Sequence, residues 1–142
     1  QRRVGAKMMA QVAGVREREN VATPAELVQL LRLLDAGQPD PQAAAQALAI
    51  LKKPKNGILN QALPPGVPVA NKPGWVEGAR CDAGIVYLPR RPYALAIMSK
   101  YAQCSDGEHE QALIALGRMI HRWMSVLDRS NGYGRAVYDA AS

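Results

Sequence analysis

Few residues in this chain have the chemistry to act on another molecule. The serines are Ser99, Ser105, Ser125, Ser130 and Ser142. None is followed three positions later by a lysine that could serve as its base. His109 and His121 have no Ser or Cys at a recognisable spacing, so each reads as a structural or surface histidine. Cys81 and Cys104 lack a further His or Cys in metal-ligand spacing, which argues against zinc. They flank a predicted hairpin, where a disulfide is conceivable and two free, partly buried thiols are the plainer reading. No cofactor or metal is expected. What remains is Lys72-Pro73-Gly74-Trp75, a cation, a residue with neither hydroxyl nor N–H, and a glycine, at the end of a predicted short strand.

The elements that must position this tetrapeptide follow from periodicity and turn chemistry. Val4 to Val15 has helical character. Thr23-Pro24-Ala25-Glu26 combines a cap, a proline suited to the first helical position and a capping-box glutamate. Leu27, Leu30, Leu31 and Leu34 then place one apolar face on a helix that Gly37 ends. Asp40-Pro41 starts a second, Ala-rich helix running to about Lys52 and closed by Pro54. Ile58 to Leu63 reads as one more helical turn, and Pro64-Pro65-Gly66 as a hard break.

A β region follows. Val67 to Lys72 reads as a strand held to a sheet edge by Pro68 and Pro73, since proline cannot donate to a ladder. Gly74 to Gly78 reads as a turn. Ala83 to Leu88 and Tyr93 to Tyr101 read as strands joined by Pro89-Arg90-Arg91-Pro92. Both are apolar on both faces, so both faces should be covered. Asp106 to Leu127 is the longest helix, capped by Asp106, with Ala112, Ile114, Ala115, Leu116, Met119, Ile120, Trp123 and Leu127 as its apolar stripe. Ser130 to Arg135 reads as a loop.

Bulk properties bound the function. A chain of 142 residues fits one domain with a buried core. No stretch approaches the roughly 20 apolar residues of a membrane span. The start, Gln1-Arg2-Arg3-Val4, has neither an initiator Met nor a signal peptide and is expected to be the interior of a longer gene product. The net charge is +6, from 18 basic and 12 acidic residues. Arg2, Arg3, Lys52, Lys53, Lys55, Arg90, Arg91, Arg118 and Arg122 are scattered. A nucleic-acid partner would need a contiguous cationic face with interleaved aromatics, so none is expected.

In order and spacing, these segments resemble the C-terminal half of a class A β-lactamase-type, penicillin-recognising serine hydrolase. Glu19-Asn20-Val21-Ala22-Thr23-Pro24-Ala25-Glu26-Leu27 resembles the exit from the Ω-loop region into the next helix of the helical domain. Gly57-Ile58-Leu59 and Leu63-Pro64-Pro65-Gly66 resemble the stretch before the third strand. Val69-Ala70-Asn71-Lys72-Pro73-Gly74 resembles that strand with its Lys-Thr-Gly box. Cys81 to Pro89 and Arg91 to Ile97 resemble the fourth and fifth strands, and the last helix matches in place and length. The resemblance runs from about residue 16 to 138.

It implies an α+β fold, the C-terminal part of the β-lactamase-like fold. Residues 1–63 would be a helical-domain segment. Residues 64–142 would supply a three-stranded antiparallel meander, completing a five-stranded sheet, and a long terminal helix packed on it. The implied activity is hydrolysis of a β-lactam amide, or a related peptide or ester, through an acyl-enzyme on a serine. That serine's Ser-x-x-Lys turn, the Ser-x-Asn loop and the Ω-loop glutamate are not in this sequence. The nucleophile-bearing portion should therefore precede Gln1, as a separate piece or chain. It should also cover the outer edge of the Tyr93–Tyr101 strand, which would otherwise be an aggregation hazard. A periplasmic or secreted location follows from the same resemblance.

By the resemblance, Lys72 attracts the substrate carboxylate and polarises the proton path around the catalytic hydroxyls. Gly74 allows close approach to the backbone, and the Trp75 N–H forms half of the oxyanion hole. Plainer alternatives stand beside these: a surface lysine, a turn glycine, a hydrophobic plug. Pro73 is the departure, since the hydroxyl that would bind the substrate carboxylate is missing. Arg80 or Arg90 could replace that contact, though the sequence places neither. The rival reading is a catalytically inactive member or fragment used for binding or interaction.

Overall fold

The computed structural model describes residues 4–5, 21–76, 79–100 and 102–131. The elements are β1 (Val4–Gly5), β2 (Val21–Ala22), α1 (Pro24–Asp35), α2 (Pro41–Leu51), α3 (Ile58–Ala62), β3 (Val69–Val76), β4 (Ala79–Val86), β5 (Tyr93–Lys100) and α4 (Asp106–Asp128). At the chain's start Val4–Gly5 is strand, not helix, because it pairs antiparallel with Val21–Ala22. The rest of that expected helix, 6–15, lies outside the described residues, as do Tyr101 and the tail from 132.

Local chemistry sets the helix ends. Thr23 caps α1: its Oγ1 accepts the Glu26 N–H at 3.2 Å, and Glu26 accepts the Thr23 N–H at 2.6 Å. Gly37, with φ 75°, lets the chain leave α1 in the left-handed region. Asp40 caps α2 through Ala43 N–H at 2.7 Å. The cap of α4 is Ser105, not Asp106 as expected. Ser105 holds the extended backbone a cap needs, accepts the Glu108 N–H and donates its own N–H to Glu108. Asp106 lies in the first turn, where its charge favours the helix dipole.

Strands β3, β4 and β5 form an antiparallel meander in that order. Pro73 lies on the edge strand as expected. The turn expected at Gly74 is instead strand through Val76, because the ladder continues as Gly74↔Cys81 and Trp75↔Arg80. Likewise β4 begins at Ala79, four residues before the apolar run, carrying Arg80 and Asp82 into the sheet. Among the described residues β5 pairs only with β4, so its outer edge has no ladder partner.

The core lies between one sheet face and the α3–α4 pair: Ile58, Leu59 and Ala62 meet Ile97 and Ile114, with Val69, Leu95 and Leu113 at its margin. Strand alternation turns Ala94 and Ile85 to the other face, where α1 packs through Leu31 around a crevice of about 290 Å³. Leu31 is the buried leucine of α1; Leu27 and Leu34 are half-buried and Leu30 is exposed.

The stripe expected on α4 is only partly the buried one. Ile114 is buried, but Leu116, Met119, Trp123 and Leu127 are exposed, and the sheet-facing side takes His109, Gly117, His121 and Asp128 instead. Each polar member finds a partner. His109 Nε2 meets Ser99 Oγ at 2.8 Å, and His121 Nδ1 meets Tyr93 Oη at 3.0 Å. Asp128 accepts the N–H groups of Arg90 and Arg91 at 2.9 and 2.6 Å. Of the two readings given for His109, structural or surface, the buried structural one holds.

Candidate active-site crevice

A crevice of about 250 Å³ opens at the end of β3. Pro73, Gly74 and Trp75 form one side, Gly57 and Ile58 at the start of α3 the other, and Arg80 and Glu110 close it from β4 and α4. Three of the four expected site residues thus converge. Lys72 is not among the lining residues: its side chain is exposed and Nζ donates to the Pro73 carbonyl at 2.6 Å. Trp75 is no buried plug, since its side chain is 70% exposed at the rim.

Of the two arginines that could replace the missing hydroxyl, the structure brings only Arg80 to the crevice. Its Nη1 donates to the carbonyls of Val76 and Ala79 at 2.9 and 3.2 Å, and its Nη2 pairs with Asp106 at 3.0 Å. A guanidinium carries five N–H donors in a fixed fork, so donors remain for a ligand anion. Arg90 sits at the opposite end of β4, its N–H held by Asp128.

Behind Pro73 lies a polar network that sequence reasoning did not single out. Asp82, paired with Pro73 across the ladder, has no solvent exposure. Its Oδ2 accepts the Leu59 N–H at 2.9 Å, and its two oxygens accept from Asn71 Nδ2 at 3.0 and 2.9 Å. Asn71 Nδ2 also reaches Asn60 Oδ1 at 2.8 Å, while Asn71 Oδ1 is buried without a hydrogen-bond partner. Burial pushes the Asp82 carboxyl above the usual carboxylate range, opposed by the Leu59 and Asn71 hydrogen bonds and the Lys55 charge. The strand expected from the apolar run began at Ala83, which left Asp82 outside it and its need for buried donors unread.

Cys81 and Cys104 are separate free thiols, Cys81 half-buried in the crevice wall and Cys104 exposed. Burial, then the neighbouring Asp82 charge, pushes the Cys81 thiol up. Among the described residues no group of three His, Cys, Asp or Glu side chains could hold a metal ion. No helix among them is long and apolar enough to cross a membrane.

The meander, the terminal helix and the crevice beside a Lys-Pro-Gly strand define a β-lactamase-type hydrolase fold. The chain belongs to the β-lactamase enzyme family, whose family model matches residues 1–124. Solved structures agree. A class A β-lactamase representative from Bacteroides cellulosilyticus is 26% identical with a TM-score of 0.68, matched over 83% of this chain and 46% of its own. The extended-spectrum β-lactamase TLA-1 is 22% identical with a TM-score of 0.71, over 83% and 47%. PBP-A is 24% identical with a TM-score of 0.67, over 75% and 41%. The chain thus spans less than half the length of each. No curated protein matches the sequence.

Proposed function

We propose that this chain is the substrate-binding half of a β-lactamase-type serine hydrolase. Its reaction is attack of a serine on a β-lactam amide, or a related peptide or ester, to give an acyl-enzyme that water hydrolyses. The serine comes from an N-terminal portion outside these 142 residues, present as a preceding segment or a separate chain. Residues 1–63 belong to the helical domain, and 64–142 to the sheet and terminal helix. The observation that carries this reading is the convergence of Pro73, Gly74, Trp75 and Arg80 on one crevice in a chain of this family. PBP-A, of the same fold, has been solved as an acyl-enzyme complex with penicillin G.

In this reading the Trp75 N–H is half of the oxyanion hole, stabilising the charge that develops on the attacked carbonyl oxygen. Gly74 lets the substrate lie against the strand. It also leaves room for Cys81, whose Sγ would be 2.9 Å from a Cβ at this position. Arg80 takes the substrate carboxylate in place of the hydroxyl that Pro73 lacks. Lys72 acts by its charge from the middle of β3, its side chain turning toward the nucleophile's segment when that is in place. The enzyme works in the periplasm or outside the cell.

A second reading is a catalytically inactive member that binds but does not turn over. Pro73, and a Lys72 that does not line the crevice, favour it. Two assays on the full-length protein separate the readings. Hydrolysis of a chromogenic β-lactam together with covalent labelling by a fluorescent penicillin is the expected result. Absence of both removes the enzyme reading, and a reading frame with no upstream Ser-x-x-Lys removes it without an assay.

A further inference from the structure

The crevice has two walls from distant parts of the sequence, and two side chains join them: Asn60, whose Oδ1 accepts from the Gly57 N–H at 3.2 Å and from Asn71 Nδ2 at 2.8 Å, and the fully buried Asp82. One wall is Gly57-Ile58 at the start of α3; the other is Pro73-Gly74 on β3. Asp82 stands behind Pro73 in the ladder and accepts the N–H of Leu59, the residue after Ile58. It also accepts from Asn71, two residues before Pro73 on the same strand. The fit around the carboxylate is close. A Cβ on Gly57 would lie 2.5 Å from Asp82 Oδ2 and 2.9 Å from both Asn60 Oδ1 and Asn71 Nδ2. A Cβ on Gly84 would lie 2.6 Å from the Asn71 Cβ on the network's other side.

Core packing seats α3 on the sheet face: Ile58, Leu59 and Ala62 pack toward Ile97 and Ile114, with Val69 of the edge strand at the margin. The hydrogen bonds that Asp82 accepts are directional and add a fixed reach to that seating.

We propose that Asp82 is a positioning residue of the crevice: its carboxylate, bonded to the Leu59 amide on one wall and to Asn71 on the other, holds the distance between Gly57-Ile58 and Pro73-Gly74 together with the Asn60 bridge. As a device of the active site this rests on the function proposed above, but the geometric claim can be read without catalysis. Cys81 lines the crevice and is half-buried, so its reactivity reports how open the crevice is.

The experiment uses the full-length protein with Cys104, and any cysteine outside these 142 residues, replaced by Ser, leaving Cys81 as its one thiol. Alkylation by iodoacetamide is followed across pH, well below the unfolding temperature, to give the rate constant of the thiolate itself. This removes the effect of the Asp82 charge on the thiol's titration. Asp82→Ala should raise that constant about tenfold or more, the scale of losing a charge-assisted hydrogen bond. Gly57→Ala, which leaves every charge in place and drives a methyl into the carboxylate, should do the same. It also serves if Asp82→Ala does not fold. Asp128→Ala, at the far end of the sheet, should leave the constant within about twofold. The proposal is overturned if the crevice variants stay within about twofold of the parent, or if Asp128→Ala raises the constant as much as they do. In the full-length protein, Asp82→Ala should slow acylation by penicillin G by a similar factor. A wild-type protein that is not acylated at all would defeat the proposed function and leave the thiol result standing.

Discussion

Asp82 and Asp128 are both buried carboxylates, one within β4 and one beside the loop that leaves it, and both hold a helical element to strands. Asp128 ends α4 and takes two backbone N–H groups of the β4–β5 loop on one oxygen. Asp82 takes one backbone N–H and one side-chain amide, and the amide's own oxygen, Asn71 Oδ1, is left buried without a partner. The first closes a loop. The second, raised in pKa by burial, joins the walls of the crevice and leaves its partner's amide oxygen unpaired. Departures from full polar satisfaction concentrate where a fold serves a site and not only itself. The contrast separates the structural end of this sheet from its working end.

Four substitutions probe that contrast, from the largest effect to the smallest. Asp128→Ala leaves two part-buried N–H donors without their acceptor and should cost about 2–6 kcal/mol in denaturant unfolding, at about 1–3 kcal/mol for each group. A loss below about 1 kcal/mol would mean that water reaches the loop. Arg80→Ala removes the crevice cation and should weaken penicillin binding by the full-length protein about tenfold to 150-fold, with a smaller change in the acylation step. An unchanged binding term would remove Arg80 from substrate recognition.

Tyr93→Phe deletes the buried hydrogen bond to His121 and should cost about 1 kcal/mol. His121 is held below its ordinary pKa by burial. Its contribution is therefore present above the unfolded value near 6.5 and is lost as pH falls through the folded one. A stability curve flat over that acidic range would contradict the buried neutral imidazole. Tyr93 itself is pushed up to about 12 by burial, so it stays protonated throughout.

Asp82→Asn sharpens the comparison through pH alone. Because the folded Asp82 pKa lies above the unfolded one, its contribution is full below the unfolded value near 3.9 and is lost as pH rises through the folded value. The wild-type curve should carry this slope and the Asn variant should lack it. Identical slopes would show that burial does not raise this group.

The sequence made the helix starts legible because capping is local: Thr23 with Glu26, and Asp40 with Pro41, need only neighbours three residues away. The order of strands was legible through the apolar runs and the resemblance they carried. Long-range polar satisfaction was not. Asp82 finds its donor at Leu59, 23 residues away, and Asp128 finds its donors in a loop 37 and 38 residues back. No periodicity records such pairs. For the same reason the terminal helix turned its histidines inward, where Ser99 and Tyr93 could pair with them, and left part of its expected stripe exposed. Lys72, Pro73, Gly74 and Trp75 were legible as a group, but not that the Lys72 side chain turns to the Pro73 carbonyl, away from the crevice that the others line.

The central claim is that this crevice is half of an acylating site completed by sequence preceding residue 1. Mass spectrometry of the intact full-length protein after exposure to penicillin G tests it most directly. The account predicts a gain of one penicilloyl group, carried by a serine of an upstream Ser-x-x-Lys turn and formed more slowly when Lys72 is replaced by Ala. An unmodified mass, or an acyl group carried by a residue within these 142, would contradict it.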